Sequence, residues 1–195
     1  ALSMPVADHA WLQAFARGFA AACEHYGVDL VGGDTTRGAL SVTVQASGLA
    51  DRGKLMLRSS AQPGDRVYVT GTLGDAALGL QLLHQGKHVE FLMKALNKPQ
   101  PRNDFALQLR QYCRCCIDIS DGLTSDLGHI CAASGIGARV LLGALPLSHT
   151  VHRYVARTSD WRVPLASGDD YELCFTVPPE RRQDLERVAG SLDVA

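Results

Sequence analysis

Three short segments of this sequence combine carboxylates with glycine, and they are the parts best suited to binding and chemistry. They are residues 32–38 (GGDTTRG), 118–122 (DISDG) and 167–171 (SGDDY). Each is expected to lie beside the end of a strand. Carboxylate oxygens are ligands that Mg²⁺ prefers, and glycine lets backbone N–H groups approach a bulky anion closely. The segments therefore suit a phosphate-bearing ligand that is bound together with a divalent cation.

In the first segment, Gly32 and Gly33 can expose backbone N–H groups to an anion. Asp34 cannot bind a phosphate directly, but it can hold a Mg²⁺ ion that also contacts phosphate oxygens. The alternative is an ordinary hairpin turn, because Gly, Asp and Thr are all common in turns. The residues of this segment alone do not decide between the two interpretations.

The second segment places polar groups at the end of an apolar strand. Asp118 and Ser120 are two residues apart, so in a strand they point to the same face. Asp121 then lies in the turn, where Gly122 relieves the backbone. Two buried carboxylates this close are costly unless a cation lies between them. The alternative makes Asp121 the N-cap of the next helix, but it leaves Asp118 unexplained, so a metal-binding turn is favoured.

Other candidates have simpler explanations beside the functional one. Asp169 and Asp170 precede a predicted strand, and a solvated turn explains such adjacent acids equally well. Gly74 and Asp75 open a predicted helix, whose N-terminal N–H groups could face an anion or its metal. A plain N-cap explains them too. Arg58 could clamp a phosphate, or it could simply be solvated.

The cysteines and histidines do not form a recognisable site. Cys113, Cys115 and Cys116 lack a second cysteine pair at zinc-site spacing, and the other three cysteines occupy apolar positions of predicted elements. Reduced thiols in the core of a cytosolic protein account for all of them. No H-E-x-x-H pattern and no P-loop pattern occurs, so a nucleotide site here would not be a P-loop.

Strands alternate with helices along most of the chain, which is typical of α/β proteins. A polar stretch with Pro and Gly predicts a domain boundary near residues 58–64, separating residues 1–60 from residues 61–195. The first two predicted strands are expected to pair as a hairpin. Hydrophobic periodicity predicts strands at residues 28–31, 40–48, 66–71, 115–120, 138–142 and 171–177, and helices at residues 8–26, 74–86, 89–97, 102–112, 121–135 and 179–190.

Composition describes a globular protein with no strong electrostatic bias. The chain has 195 residues, 46% hydrophobic and 20% charged, with a formal net charge of -1. This balance gives no reason to expect a nucleic-acid or anionic-membrane partner. No apolar run is long enough for a membrane helix, and the first residues do not resemble a signal peptide. The chain starts at Ala1 and stops after a predicted helix, so we expect it to be a fragment.

Four motifs, taken in order, closely resemble the thiamine-monophosphate kinase family. They are GGDTTRG (32–38), RVYVTGTLGDAALGL (66–80), IDISDGLTSDLGHI (117–130) and SGDDYELCFTV (167–177). The family belongs to the superfamily of aminoimidazole-ribotide synthetase and selenophosphate synthetase. The resemblance covers essentially the whole chain, and the first and third motifs are typical of the kinase branch. It implies the two-domain α/β architecture of that superfamily, with residues 1–60 as the C-terminal part of an incomplete N-terminal ATP-binding and dimerisation domain, and residues 61–195 as a C-terminal α/β domain truncated at its end.

The resemblance implies an ATP-dependent enzyme that phosphorylates thiamine monophosphate to thiamine diphosphate by direct in-line transfer with Mg²⁺. It also implies a cytoplasmic protein that is a homodimer at full length. Asp169 matches a position where the family normally has Glu as a substrate contact. Further acidic motifs of the family are expected upstream of Ala1. By motif, the implied ATP contacts are Gly33, Asp34, Arg58 and Ser120, and the implied metal ligands are Asp34, Asp118 and Asp121.

Two alternatives to this function stay open. One is another ATP-dependent member of the superfamily that acts on a different small molecule. The other is a catalytically silent nucleotide-binding or dimerisation module. Phosphoryl transfer itself needs positioning and charge neutralisation rather than a protein nucleophile. Carboxylates holding Mg²⁺, an arginine and backbone N–H groups supply these, so the residues agree with what the resemblance implies.

Overall fold

The computed structural model describes residues 1–189, and the chain divides into two compact units. The first unit is Ala1–Leu49 and the second begins at Ala50. Both combine α-helical structure with a small sheet, so the predicted α/β class is confirmed. The division between the two units, at residue 49, lies about ten residues before the domain boundary expected from sequence. That domain boundary stays a prediction. No helix among residues 1–189 is long and apolar enough to cross a membrane.

The first unit contains one long helix and a three-stranded sheet in the order β2-β1-β3. The helix begins as predicted, because the Asp8 side chain accepts hydrogen bonds from the first backbone N–H groups. It ends at Gly27, whose φ of 62° is the left-handed conformation that glycine adopts readily. The elements are β1 (Leu2–Met4), α1 (His9–Tyr26), β2 (Thr35–Arg37) and β3 (Ser41–Val42).

In this unit one strand prediction was wrong and another was confirmed over two residues only. Residues 28–31 form no strand, and the predicted strand at 40–48 is reduced to β3, which pairs with β1 instead of with residues 28–31. The apolar side chains that suggested these strands face solvent, with Val31 95% exposed and Val44 64% exposed. Alternation predicts a strand only where another layer covers the apolar face, and the described residues of this unit supply no such layer.

The second unit packs helices against a three-stranded antiparallel sheet in the order β4-β6-β5. Across the sheet, Tyr68 stacks on Phe175 with ring centroids 5.8 Å apart. The strands are β4 (Arg66–Val69), β5 (Cys115–Asp118) and β6 (Leu173–Val177). The helices are α2 (Asp75–His84), α3 (Glu90–Asn97), α4 (Asn103–Leu109), α5 (Leu123–Ser134), α6 (His149–Thr158), α7 (Arg162–Ala166) and α8 (Arg182–Ala189), with 3-10 turns at Leu142–Ala144 and Pro179–Arg181.

Most elements of this unit agree with the sequence predictions, and the exceptions cluster between β5 and β6. The strands predicted at 66–71, 115–120 and 171–177 are confirmed, although each is shorter than predicted. The helices predicted between residues 74 and 135 are also confirmed with shorter ends. The last predicted helix is confirmed through residue 189, and residue 190 lies outside the described residues. The predicted strand at 138–142 was wrong, and α6 and α7 were missed. In α6 only Val151 and Val155 are buried, so its apolar stripe is too narrow to stand out from a polar loop.

The core of the second unit consists of three apolar clusters. One joins the sheet to α5 through Leu123, Leu127 and Ile130, which recur at helical spacing and are at most 5% exposed. A second contains Phe105 and Leu109 of α4 with β6. The third joins α2, α3 and α6. The first cluster fixes the start of α5 against the end of β5, which is where the acidic turn lies.

Candidate functional site

The antiparallel pairing of β5 and β6 continues past both strands and brings two of the acidic segments together. The N–H of Ile119 donates to the carbonyl of Glu172 at 2.8 Å, and the N–H of Tyr171 donates back to the carbonyl of Ile119 at 2.9 Å. One step further, the N–H of Asp169 donates to the carbonyl of Ser120 at 2.9 Å. Residues 118–121 and 169–171 therefore form one continuous structure.

Two glycines make this close approach possible. Gly168 has φ +65°, and a Cβ placed on it would lie 2.3 Å from the carbonyl oxygen of Ser120. Gly122 has φ +107°, and its Cβ would lie 2.9 Å from the backbone of Ala166. Both positions combine a left-handed backbone with direct contact to another segment, so only glycine fits without movement.

Three carboxylates lie near the partly exposed phenol of Tyr171 at this junction. The Tyr171 hydroxyl donates to Oδ1 of Asp169 at 3.2 Å. Desolvation raises the pKa of Tyr171, and the negative charges of Asp169, Asp118 and Asp121 raise it further. Tyr171 and Asp169 also share positive φ values of 50° and 62°, which are strained for residues with side chains. The tyrosine therefore lies among three acids that the sequence singled out separately.

Asp118 and Asp121 each carry the oxygen donors that a hard divalent cation prefers. Both side chains are exposed, which corrects the expectation that they would be buried together. Among residues 1–189 no lysine, arginine or histidine forms an ion pair with Asp118, Asp121 or Asp169. Within this described part of the chain, no basic side chain therefore neutralises these carboxylates, and a bound Mg²⁺ ion could do so. Mg²⁺ needs only one or two carboxylates together with phosphate oxygens.

Asp126 is the functional candidate that the sequence analysis missed. It is 3% exposed, and its Oδ2 accepts hydrogen bonds from the backbone N–H groups of both Ser120 and Asp121 at 3.0 Å. Its carboxylate, that of Asp121 and the ring of His129 place ligand atoms within 4.8 Å of one another. An Asp in the first turn of a helix whose N-cap is Gly122, which lacks a capping side chain, is the signal that could have revealed it.

A second acidic group lies at the start of α2. The N-cap of this helix is Gly74, so Asp75 is its first residue and does not cap it. The N–H of Gly74 donates to Oδ1 of Asp170 at 2.9 Å, so this helix N-terminus already has a carboxylate partner. Asp75 itself is 5% exposed and accepts hydrogen bonds from the hydroxyls of Thr72 and Ser148. The N–H of Gly74 and the carboxylate of Asp75 are therefore both engaged in hydrogen bonds with other parts of the chain.

A bidentate ion pair closes this region. The guanidinium of Arg102 donates through Nε and Nη2 to the two oxygens of Glu172, at 2.7 Å and 2.5 Å. The hydroxyl of Thr70 donates to the same carboxylate. The hydrogen bond to Glu172 raises the pKa of Arg102. The pair ties the residue before α4 to the residue before β6 and so supports the strand end that carries Asp169 and Asp170.

Asp170 should make the stability of the protein depend on pH. Burial raises its pKa to about 7; the N–H of Gly74 opposes this rise, and the charges of Asp75, Glu172 and Asp169 add to it. Because the folded state holds this proton more tightly than the unfolded chain, the contribution of Asp170 to stability is full at acid pH and is lost as the pH rises from about 4 to about 7.

We therefore expect the free energy of unfolding to fall by about 1–3 kcal/mol more between pH 5 and pH 8 in the wild type than in Asp170→Asn. The asparagine can still accept the hydrogen bond from Gly74, but it does not ionise. Urea unfolding at both pH values measures this difference. Equal pH dependence in the two proteins would contradict a raised pKa for the Asp170 carboxyl.

Three further residues predicted to contact the ligand are Gly33, Asp34 and Arg58. Gly33 and Asp34 belong to the first unit, where Asp34 is exposed and its Oδ1 accepts from the N–H of Thr35 at 2.7 Å. Arg58 is exposed, and its carbonyl accepts from the Ser134 hydroxyl at 3.1 Å. The structure brings Asp118, Ser120, Asp121 and Asp169 together. For Gly33, Asp34 and Arg58 the ligand contacts stay predictions.

Two cavities in the second unit differ in the residues that line them. One of about 770 Å³ lies between β4, α5 and residues 136–146, has a mainly apolar lining, and contains none of Asp118, Asp121 and Asp169. A smaller one of about 240 Å³ lies beside the second acidic group and is lined by Asp170, Glu172 and Arg102 with residues of α3. The larger cavity is thus separate from the acidic turn.

Three of the six cysteines are buried, and the other three are partly buried. All six cysteines are free. Burial raises the pKa values of Cys113, Cys116 and Cys174 to about 12, so these thiols are neutral and unreactive at physiological pH. Within the described part of the chain, the grouping with metal-ligand spacing contains no cysteine. These observations agree with the interpretation of Cys113, Cys115 and Cys174 as core residues, whereas Cys23 lies on α1, which has no buried residue.

Comparison with known proteins gives matches along the chain. The family model described as "AIR synthase related protein, N-terminal domain" matches residues 1–50, and "AIR synthase related protein, C-terminal domain" matches residues 62–195. The chain is 44% identical over 200 residues to thiamine-monophosphate kinase of Escherichia coli (strain K12), covering 100% of this chain and 62% of that protein. The corresponding Haemophilus influenzae protein is 41% identical over 199 residues, covering 100% of this chain and 61% of the relative.

Two solved structures extend the comparison. Thiamine-monophosphate kinase from Stenotrophomonas maltophilia K279a superposes with a TM-score of 0.88 at 40% identity, covering 100% of this chain and 65% of the other. A structure described as AaThiL complexed with AMPPCP and TMP gives a TM-score of 0.77 at 29% identity, covering 92% of this chain and 60% of the other. The chain thus spans somewhat less than two thirds of the length of the proteins that it resembles.

Proposed function

The chain belongs to the AIR synthase related protein family, and on that premise we propose that the whole protein transfers the γ-phosphoryl group of ATP to thiamine monophosphate, forming thiamine diphosphate. One observation carries this proposal: Asp118, Asp121 and Asp169 all lie near Tyr171 at one end of the sheet, where Asp169 is hydrogen-bonded to Ser120. The relatives named thiamine-monophosphate kinase, 41–44% identical to the whole chain, support it. So does the likeness to a protein solved with AMPPCP and TMP.

Asp118 and Asp121 would hold Mg²⁺ at the phosphates of ATP, and Asp34 would supply a further carboxylate. When bound, the cation neutralises charge on the transferring phosphoryl group and orients its oxygens. The exposed carboxylates of Asp118 and Asp121 leave room for phosphate oxygens and water in the rest of the coordination shell. Ser120, which lies between them, would contact ATP directly.

The positioning of the two substrates is the other part of the mechanism. Arg58 and the backbone at Gly33 would bind the phosphates of ATP, which are the groups that a guanidinium and glycine N–H donors recognise. Asp169 would contact thiamine monophosphate. The hydroxyl of Tyr171 donates a hydrogen bond to the carboxylate of Asp169 at 3.2 Å, which orients this carboxylate. Because Asp121 and Asp169 both adjoin Ser120, the cation and the acceptor would be held by one rigid turn, as in-line transfer requires.

The setting of the enzyme forms part of the same proposal. The resemblance supports a cytoplasmic homodimer whose partners are ATP and thiamine monophosphate, with no role for nucleic acid or membrane. The formal net charge of -1 agrees with this choice of small-molecule partners.

A product assay on the full-length gene product tests the proposal. With Mg-ATP and thiamine monophosphate, we expect thiamine diphosphate and ADP in equal amounts, and neither without a divalent cation. Unphosphorylated thiamine and aminoimidazole-type substrates serve as alternative acceptors. ADP formation with one of these, and none with thiamine monophosphate, would favour another member of the superfamily. Nucleotide binding without any turnover would favour a silent binding module.

A further inference from the structure

We propose that Asp126 is a positioning residue that fixes the turn of Ser120 and Asp121 in the geometry needed to hold the cation. This inference rests on the proposed function for what the turn binds, but its structural part concerns the chain alone. Neither the sequence motifs nor the comparisons assign Asp126 a role. Its carboxylate contacts the turn through backbone groups only, so it acts through Asp121 rather than on a substrate.

One oxygen of Asp126 holds two consecutive peptide groups. Oδ2 accepts from the N–H of Ser120 and from the N–H of Asp121, both at 3.0 Å. Fixing both N–H groups fixes the planes of the two peptides, and with them the direction in which the side chains of Ser120 and Asp121 leave the backbone. Charge-assisted hydrogen bonds from backbone N–H groups to a carboxylate are among the stronger ones in proteins.

Ser120 is hydrogen-bonded through both of its backbone polar groups. Its N–H donates to the carboxylate of Asp126, and its carbonyl accepts from the N–H of Asp169 at 2.9 Å. The residue between the predicted metal ligands is therefore held by both of its backbone polar groups. Asp126 is 3% exposed, so little water is available to replace it, and its loss would leave two N–H donors without their partner.

The helix provides the rigid base for this contact. Asp126 lies in the first turn of α5, whose N-cap Gly122 offers no side-chain hydrogen bond. A negative charge in the first turn is favoured by the helix dipole. Leu123, Leu127 and Ile130 anchor the same helix in the core. Through Asp126, the turn of Ser120 and Asp121 is therefore fixed relative to a helix that is itself packed in the core.

Amide hydrogen exchange in the full-length gene product, without metal or nucleotide, tests the structural part. In Asp126→Ala the amides of Ser120 and Asp121 should exchange at least about 10-fold faster than in the wild type. This factor corresponds to a loss of about 1.4 kcal/mol of protection. In Asp126→Asn they should stay within about 3-fold of the wild type, because the amide oxygen still accepts both bonds. Ser125→Ala, which changes an exposed neighbour on the same helix, is the matched control and should leave both rates unchanged.

Steady-state kinetics of the same variants test the functional part. Asp126→Ala should lose about 10- to 100-fold in kcat/KM for Mg-ATP, as is typical when the partner of a metal ligand is removed. Asp126→Asn should recover much of this loss, whereas a merely structural role would lower the folded fraction and leave KM for Mg-ATP unchanged.

The outcomes separate this inference from the proposed function. Unchanged exchange in Asp126→Ala would overturn the positioning role whatever the enzyme does. Faster exchange in Asp126→Ala, together with a wild type that makes no thiamine diphosphate, would support the positioning role and overturn the function. If Asp126→Ala does not fold, Asp126→Asn decides: retained protection supports the inference, and lost protection contradicts it.

Discussion

In the full-length gene product, Asp121→Asn should lower kcat/KM for thiamine diphosphate formation by at least about 100-fold, which is the loss expected when one preorganised electrostatic contact to the reacting group is removed. Asparagine keeps the size of the side chain and the shape of the turn, but it removes the charge that holds Mg²⁺. Because Asp121 is exposed and forms no ion pair among residues 1–189, the midpoint of thermal unfolding should change by less than about 2 °C. Coupled ADP release and differential scanning fluorimetry measure the two effects.

Cys113→Ser is the matched control, because it changes a residue near the same strand by one atom. Cys113 is 3% exposed, and burial raises its pKa to about 12, so it has no thiolate to lose. We expect its kcat/KM to stay within about 3-fold of the wild type, since no interaction with the reacting group is lost. If Cys113→Ser were inactive and Asp121→Asn active, the acidic turn would not be the site.

The second large effect is expected at Gly168, where alanine should destabilise the protein by about 2–4 kcal/mol. The left-handed backbone alone costs a residue with a Cβ about 1–2 kcal/mol. The new Cβ would also lie 2.3 Å from the carbonyl oxygen of Ser120, so the hydrogen bond from the N–H of Asp169 to that carbonyl must lengthen or break. Chemical denaturation should report the loss, and activity should fall with it because the turn moves.

Gly128→Ala provides the control for this substitution. Gly128 lies within α5, and a Cβ there would meet no atom within 4 Å. Replacing a helical glycine by alanine in open space is expected to stabilise by about 0.5–1 kcal/mol. A Gly168→Ala variant as stable as the wild type would mean that residues 118–121 and 168–171 are not in the contact described above.

The elements that the sequence predicts well are those whose signals are local. The start of α1 at Asp8 and its end at Gly27 follow from capping. The strands β4, β5 and β6 are apolar runs bounded by polar turns. Residues 28–31 and 138–142 carry similar apolar runs but form no strand, because strand formation needs a neighbour that local sequence does not specify.

The candidate site was predictable in its residue types and not in its arrangement. Asp118 and Asp121 follow from spacing, but their approach to Asp169 depends on pairing between segments about 50 residues apart in sequence. Asp126 looks like an ordinary helix residue until the turn folds back onto it. The adjacent acids Asp169 and Asp170 also differ: one contacts Tyr171, while the other meets the N–H of Gly74. The backbone at Asp169 is left-handed, with φ 62°, so composition alone could not predict which partner each acid meets.

Binding of Mn²⁺, followed by electron paramagnetic resonance in the presence of a non-hydrolysable ATP analogue, tests the central claim most directly, because Mn²⁺ accepts the same oxygen ligands as Mg²⁺. The central claim is that Asp118 and Asp121 hold the cation that accompanies ATP. We expect the wild type and Cys113→Ser to bind Mn²⁺ equally, and Asp118→Asn and Asp121→Asn to bind it at least about 10-fold more weakly. Unchanged affinity and stoichiometry in both aspartate variants would contradict the claim.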